Sequence, residues 1–167
     1  MNIFVLDQTP EMSAKYHCDK HVLKMIIETA QLLSTAHHIL NPDSTIAKSV
    51  YRKTHVNHPC AVWVRTCYEN YEWTYNLLLK LLAEYEFRYG KQHKTGTLTQ
   101  YLKTPPANIT TLGHMTQRPQ CMPDDCKQDS TISAYRTYYI NHKKHFATWT
   151  KRETPSWFQQ RRIYNVC

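Results

Sequence analysis

The sequence is poor in glycine and contains no long run of apolar residues. Only 3 glycines occur among its 167 residues, whereas a many-stranded sandwich or barrel ordinarily needs more of them in its turns. No stretch of about 18 apolar residues is present, so we expect no transmembrane helix. Residues 1–10 lack a basic region and a long apolar core, so no secretory signal peptide is expected. These absences favour a helical protein of the cytoplasm.

The 6 cysteines do not indicate a disulfide framework. Such frameworks belong to small secreted chains, and without a secretory signal we expect reduced thiols. Cys121 and Cys126, with His114 nearby, leave a structural zinc site open as an alternative. Our prediction is a protein without a metal or another cofactor, because a chain of this length can bury enough apolar surface to fold unaided.

The spacing of apolar residues predicts an all-α protein with about three long helices. The Thr-Pro pair at 9–10 is a typical helix start. An apolar face repeats from there to about residue 40, with one break near Cys18. The second helix is predicted over 60–89 and the third over 131–150.

The segments between these helices are expected to be short or irregular. Residues 3–6 form a brief extended segment, and Gly90 stands where a glycine commonly ends a helix. Residues 91–130 contain four prolines and form a long irregular loop, a kind of loop that is often functional. We see no linker or internal repeat, so a single helical domain over 1–167 is predicted.

One polar stripe on the first helix carries several chemically useful side chains. At about 100° per residue, His17, His21, Lys24 and Glu28 fall on one helix face, and Asp19 lies on its flank. Two histidines at this spacing are typical of ligand binding or proton transfer. We therefore predict one concave site lined by these side chains, with the N-terminal segment nearby. The alternative is a solvated helix face with weak ion pairs.

The charge balance favours a polyanionic partner. The chain has 21 Lys and Arg against 13 Asp and Glu, a net charge of +8, and 10 histidines besides. Phosphate contacts supply most of the non-specific affinity of proteins for nucleic acids, and aromatic rings stack on bases. The partner is therefore predicted to be DNA, with a nucleotide or a host protein as alternatives and no membrane. The expected nucleic-acid contacts are Lys20, Arg52, Lys53, Asn70, Trp157, Arg161 and Arg162.

Two resemblances to known families add to this interpretation. The opening MNIFVLD, followed by HCDKHVLKMIIETAQLL, resembles a family of short phage-encoded proteins without an assigned function. The layout of the whole chain is similar to the phage-type pyrimidine-dimer DNA glycosylases of the endonuclease V type. That similarity rests on an early His17, a central helix over 60–89 and the sequence Pro-Ser-Trp-Phe at 155–158. It implies a small all-helical protein whose N-terminus lies between helices.

The glycosylase resemblance implies a covalent mechanism. In that family the α-amine of the first residue attacks the sugar C1′, forms a Schiff base and cuts the strand by elimination, and a Glu seven residues after the His supports the intermediate. An α-amine ordinarily has a pKa of about 7.7–8.0, so a useful fraction is neutral at pH 7. Here Asn2 is too large for routine removal of the methionine, so the amine is that of Met1. Lys24 stands seven residues after His17, which leaves Glu28 or Asp19 for the carboxylate role.

The functional hypothesis is thus a DNA glycosylase for damaged or modified bases, with AP lyase activity as a further hypothesis. The Met1 amine or Lys24 would be the nucleophile, and His17 and His21 would position or protonate the substrate. Glu28 or Asp19 would be the acid and base. One alternative is a basic binding module without catalysis. Another is a metal-dependent nuclease that uses His17, Asp19, His21 and His58.

Overall fold

The computed structural model describes residues 1–159, and no strand occurs among them. The α-helices are α1 (Pro10–Tyr16), α2 (Asp19–Leu40), α3 (Thr45–Ser49), α4 (Pro59–Thr66), α5 (Tyr68–Tyr89), α6 (Thr99–Leu102), α7 (Thr131–Tyr138) and α8 (Ser156–Gln159). Two 3-10 turns, Lys94–Leu98 and Asp124–Cys126, and a π-helical turn, Tyr139–Lys143, complete the regular structure. The predicted all-α class is confirmed.

The first predicted helix begins and breaks where the sequence indicated. Thr9 accepts a hydrogen bond from the Met12 amide at 3.3 Å, and Pro10 opens α1. α1 and α2 are separated by the expected break at residues 17–18. The break is stable because the Asp19 amide donates to the Thr148 carbonyl, at 2.8 Å, outside the helix. An unpaired buried amide at this point would be costly.

The second predicted helix is divided in two. Cys67 is extended, with φ −152° and ψ 163°, and separates α4 from α5. The Tyr68 amide donates to the carbonyl of Thr110 at 2.8 Å, so the irregular loop supplies a hydrogen-bond acceptor for the first amide of α5. Gly90 ends α5 with φ +65°, as predicted, in a conformation that glycine adopts without strain.

The third predicted helix is shorter than expected. α7 ends at Tyr138, a π-helical turn follows, and residues 148–150 are irregular. This last segment is held by other contacts: Thr148 and Thr150 donate to the Asp19 carboxylate, and the Trp149 indole donates to the Tyr16 carbonyl at 3.0 Å. Tertiary hydrogen bonds have replaced the last turns of the helix. The loop over 91–130 is largely irregular, as predicted, apart from its short turns and α6.

The N-terminal segment lies inside the molecule. Residues 3–6 are at most 4% exposed, and the Phe4 ring packs against His21 and Tyr138. Around this segment α2 packs against α4 and α5, and α1 packs against α5. Because the segment occupies the centre of the core, the first residue of the chain emerges at a defined place.

The single-domain organisation stays a prediction. Among residues 1–159, no helix is long and apolar enough to cross a membrane.

A buried charged network joins the break between α1 and α2 to α5. The Arg88 side chain is fully buried and lies 3.0 Å from Asp19 and 3.1 Å from Glu84. It also donates to the main-chain carbonyls of Lys15 and His17. Arg152 pairs with the other Glu84 oxygen at 2.6 Å. The network therefore satisfies the carbonyls that the helix break leaves without helical partners.

Arg88→Met should be strongly destabilising, because it leaves buried carboxylates and carbonyls without their donor. We expect a loss of about 3–5 kcal/mol in the free energy of unfolding. Lys80→Met is the matched control, since Lys80 is half-exposed and pairs only with Glu11 at 3.5 Å. That exposed pair should contribute about 1 kcal/mol or less. Urea unfolding at pH 7 measures both values, and equal losses would contradict the role of the network.

Candidate active site

The α-amine of Met1 is held against a carboxylate while its side chain anchors the residue. The Met1 side chain is 2% exposed, whereas the residue as a whole is half-buried, so its exposed part is the main-chain end. The amine nitrogen lies 3.9 Å from Oε2 of Glu28. The amide of Asn2 donates to the same oxygen at 2.9 Å. Two successive main-chain nitrogens of the N-terminus therefore face one carboxylate.

The Asn2 side chain fixes the position of this terminus. Its amide group donates to the Cys121 carbonyl at 2.8 Å. Its oxygen accepts from the Ile3 amide at 2.8 Å and from the Tyr135 hydroxyl at 2.7 Å. Asn2 is 8% exposed, so these bonds form away from bulk water. A buried amide with this many partners adopts one orientation, and it leaves the Met1 amine little freedom.

Glu28 lies between two amines. Its second oxygen, Oε1, is 3.4 Å from Lys24 Nζ, one turn earlier on α2. Its side chain is only 13% exposed, whereas that of Lys24 is 59% exposed. The carboxylate is thus sheltered beside the terminus, and the lysine extends from it into solvent.

A histidine and two cysteines lie beside the same amine. Burial lowers the pKa of His58, and the positive charge of the Met1 amine lowers it further, while Glu28 raises it. The Cys60 thiol donates to Cys121 Sγ, 3.5 Å away. That hydrogen bond raises the pKa of Cys60 and lowers the pKa of Cys121. The positive charge of the Met1 amine lowers the pKa of Cys121 further and opposes part of the rise in the pKa of Cys60.

The predicted common site of His17, His21, Lys24 and Glu28 is not formed. His17 precedes α2, so it does not share the helix face, and its side chain is fully buried with Nδ1 2.6 Å from the Ser13 carbonyl oxygen. His21 is 4% exposed, and its Nδ1 lies 2.5 Å from the Tyr139 hydroxyl. Both rings are buried in the core, and His21 packs against Phe4, whereas Lys24 and Glu28 lie beside the terminal amine.

Burial also sets the charge state of these two histidines. It lowers the pKa of His17 to about 4 and that of His21 to about 3. Both rings are therefore neutral near pH 7. Nε2 of His17 is buried without a partner, which agrees with a neutral ring whose proton is on Nδ1. The two histidines act here as core side chains.

Asp19 and the expected metal ligands are also apart. Asp19 binds Arg88, Thr148 and Thr150 and does not face Met1. Within residues 1–159, two groups of potential ligands are close enough for one ion: His58, Cys60 and Cys121, and Asp125, Cys126 and His142. The nuclease set of His17, Asp19, His21 and His58 is not among them. Cys121 and Cys126 belong to different groups, so the zinc site that pairs them is not formed.

Several expected DNA contacts have structural roles instead. Asn70 is fully buried and bonds the Trp63 carbonyl and both the amide and hydroxyl of Thr116. It fixes the irregular loop to α5. Trp157 is half-buried and packs edge-on against Tyr16 and Tyr139. Its ring is therefore a contact within the protein. The predicted contacts Arg161 and Arg162 lie outside the described residues.

Other predicted contacts remain exposed. The Lys20 amine lies 4.9 Å from the centre of the Phe146 ring on the surface. Arg52 and Lys53 are exposed on the segment 51–58, which follows α2 in the opposite direction. Its Tyr51 carbonyl lies 3.0 Å from His38 Nε2, and Thr54 bonds Thr35. At its end, the pKa of His58 is lowered in part by the charge of the Met1 amine. These cations therefore lie on the segment that leads to the N-terminus.

The His–Glu spacing implied by the glycosylase resemblance occurs in this chain one turn later than expected. Glu28 follows His21 by seven residues, whereas Lys24 follows His17 by seven. Seven residues are two turns of α2, so His21 and Glu28 share one side of the helix. When the seven-residue spacing is counted from His21, it indicates Glu28, which is the Glu beside the terminal amine.

Sequence reasoning missed the role of Asn2 and the nearness of His58 and Cys60. The signal for Asn2 was its place immediately before the buried apolar run 3–6, where a polar side chain needs partners. For His58 there was a cap signal, since its Nδ1 accepts from the Cys60 amide just before Pro59 would open a helix. Nothing local could indicate Cys121, which is brought in from 61 residues away.

The comparisons with known proteins agree with the geometry. A family model described as pyrimidine dimer DNA glycosylase matches residues 1–97, more than half of the chain. That range contains Met1, Lys24, Glu28 and His58 but not Cys121. No curated protein and no solved structure matches the chain.

The buried histidines should make the protein sensitive to mild acid. Burial also lowers the pKa of His37 to about 4, whereas an unfolded histidine has a pKa of about 6.5. The unfolded state therefore binds more protons as the pH falls from about 6.5 to 4, and stability is lost over that range. Each histidine contributes a slope of about 1.4 kcal/mol per pH unit near pH 5.

His37→Gln tests this dependence and keeps a polar group for the Tyr71 hydroxyl, which lies 2.9 Å from His37 Nε2. The free energy of unfolding should vary less steeply with pH in the variant, by about 1.4 kcal/mol per pH unit near pH 5. His114→Gln, at an exposed position, is the control and should keep the wild-type slope. Identical slopes in His37→Gln and wild type would show that His37 is not buried as a neutral ring.

Proposed function

Because the chain belongs to the pyrimidine dimer DNA glycosylase family, we propose that it excises a damaged or modified base from DNA and cleaves the resulting abasic strand. The substrates that the family description suggests are pyrimidine dimers. The observation that supports this most directly is the Met1 amine 3.9 Å from a sheltered carboxylate. An amine and an acid–base group side by side are what imine chemistry at a sugar requires.

In this mechanism the lone pair of the Met1 amine attacks C1′ of the damaged nucleotide. The bond from C1′ to the base breaks, and its electron pair leaves with the base, which is protonated. Opening of the sugar ring gives an iminium ion between C1′ and the Met1 nitrogen. Loss of a C2′ proton then expels the 3′ phosphate by elimination, and water releases the enzyme.

Glu28 is the group placed to move protons in these steps. Oε2 faces the amine, so the carboxylate can accept a proton from the ammonium form and later support the positive iminium. The Asn2 amide donates to that oxygen and holds it in place. General acid–base catalysis by such a group contributes about 10²–10⁴-fold in rate.

Met1 is a better nucleophile than Lys24 for structural reasons. Lys24 is 59% exposed and lacks the apolar enclosure that activates a lysine amine. It is better suited to hold a phosphate near the site. Arg52 and Lys53 are exposed along the same side of α2 and extend this cationic surface. A base must leave the duplex to bring its C1′ to the Met1 amine, as in other base-excising enzymes.

Trapping of the imine tests the nucleophile directly. Incubation of the protein with DNA that contains an abasic site or a pyrimidine dimer, in the presence of borohydride, should give a stable adduct. Digestion with trypsin and mass spectrometry should locate the sugar on the peptide of residues 1–15. An adduct on the peptide that contains Lys24 would transfer the nucleophile role to that lysine. No adduct with any of these substrates would favour a binding module without lyase chemistry.

Glu28→Gln should slow turnover by about 10²–10⁴-fold while the protein still binds DNA. Lys24→Gln, one turn away and in contact with the same carboxylate, is the matched control. Lys24→Gln should lower the affinity for DNA by a factor smaller than the loss of turnover in Glu28→Gln. It should leave the turnover rate of bound DNA largely unchanged. Single-turnover kinetics at saturating enzyme separate the two effects. Equal rates for Glu28→Gln and wild type would remove Glu28 from the mechanism.

Binding to DNA should depend steeply on salt, because bound phosphates release counterions. Replacing Arg52 and Lys53 by Gln should weaken binding and reduce the slope of log K against log salt by about 1–2. The control replaces Lys15 and Lys80, both paired with Glu11, and changes the net charge equally. Fluorescence anisotropy between about 50 and 200 mM salt measures both. The same slope in both variants would exclude a specific contact by the 51–58 segment.

A further inference from the structure

Three potential metal ligands from distant parts of the chain meet beside the N-terminus. Cys60 lies in the first turn of α4, His58 caps that helix, and Cys121 belongs to the long irregular loop. One ligand atom from each residue lies within 4.8 Å of both others. Cys60 is fully buried, while the other two are half-buried, so an ion can reach the group from the surface.

The spacing of the two sulfur atoms fits a shared metal ion. Two thiolates bound to one tetrahedral zinc at about 2.3 Å stand about 3.8 Å apart. The sulfur atoms of Cys60 and Cys121 are 3.5 Å apart, so only a small adjustment is needed. Among the common divalent ions, zinc is the one that favours two sulfurs and one imidazole as ligands.

The main chain around the ligands is already fixed. The Cys121 carbonyl accepts from Asn2, and the Cys121 amide lies 3.4 Å from the Tyr135 hydroxyl. Nδ1 of His58 accepts a hydrogen bond from the Cys60 amide at 3.2 Å, so the ring is already held beside Cys60. Zinc takes the place of this hydrogen bond, because the neutral ring has one nitrogen lone pair for either partner. The hydrogen bonds of Cys121 and His58 keep the ligands close together before an ion binds, which reduces the entropy cost of zinc binding.

We propose that His58, Cys60 and Cys121 form a zinc site that joins α4 to the irregular loop beside the N-terminus. Zinc binds the two cysteines as thiolates, so their two protons pass to the buffer and no redox change occurs. The fourth position of the tetrahedron is left to a water molecule. The bound ion fastens a loop that otherwise depends on hydrogen bonds, so its expected effect is on stability, and the proposal does not rest on the proposed glycosylase chemistry.

Titration of the reduced, metal-free protein with zinc tests this proposal. We expect one zinc per chain, release of about two protons on binding, and an increase in Tm. Co²⁺ in place of zinc should give intense visible absorption typical of tetrahedral coordination and a thiolate charge-transfer band in the near ultraviolet. Cys121→Ser should lose the charge-transfer intensity in part and weaken zinc binding by at least about 100-fold.

The matched control is Cys126→Ser, which removes a cysteine of the other ligand group and leaves Cys121 intact. It should bind zinc as the wild type does. Cys121 is half-buried, so Cys121→Ser should keep the fold, which circular dichroism checks. Loss of binding in Cys126→Ser with retention in Cys121→Ser would overturn the proposal. A cobalt spectrum typical of octahedral coordination would also overturn it. The same holds if more than one zinc ion per chain is needed to raise Tm.

Discussion

Burial of residues 2–6 is the constraint on which the candidate active site depends. Residues 3–6 occupy the centre of the core, and Asn2 is tied to the Cys121 carbonyl and the Tyr135 hydroxyl. A chain terminus is ordinarily among the most mobile parts of a protein. Here its mobility is removed by packing and hydrogen bonds, so the terminal amine acquires the fixed geometry that a catalytic nucleophile needs.

The helix break at residues 17–18 serves the same purpose. A continuous helix would carry His17 on the face that it shares with Glu28. The break turns His17 into the core, and Arg88 satisfies the carbonyls that the break exposes. A buried arginine in this role costs desolvation that only complete pairing can offset. The paired Glu84, Asp19 and Arg152 supply that compensation.

Local signals in the sequence were sufficient for the helix ends but not for the third helix or for the site. Thr9 starts α1 and Gly90 ends α5 through contacts within a few residues, so their roles can be recognised without a structure. The helix over 131–150 failed because Asp19, more than a hundred residues away, holds Thr148 and Thr150 outside a helix. The His17–Glu28 stripe failed because helical spacing does not show which neighbours cover a face. His17 lies in the break before α2, and the Phe4 ring covers His21.

The two parts of the chain contribute differently to the site. The family match covers residues 1–97, which supply the amine, Glu28 and the cationic segment 51–58. Residues beyond that match supply Cys121 and Tyr135, which hold Asn2 and therefore the amine. A change in the irregular loop should thus affect the site through the position of the terminus, even though the proposed nucleophile and acid–base group, Met1 and Glu28, lie outside the loop. The proposed chemistry lies in the first part of the chain, and its geometry depends on the second.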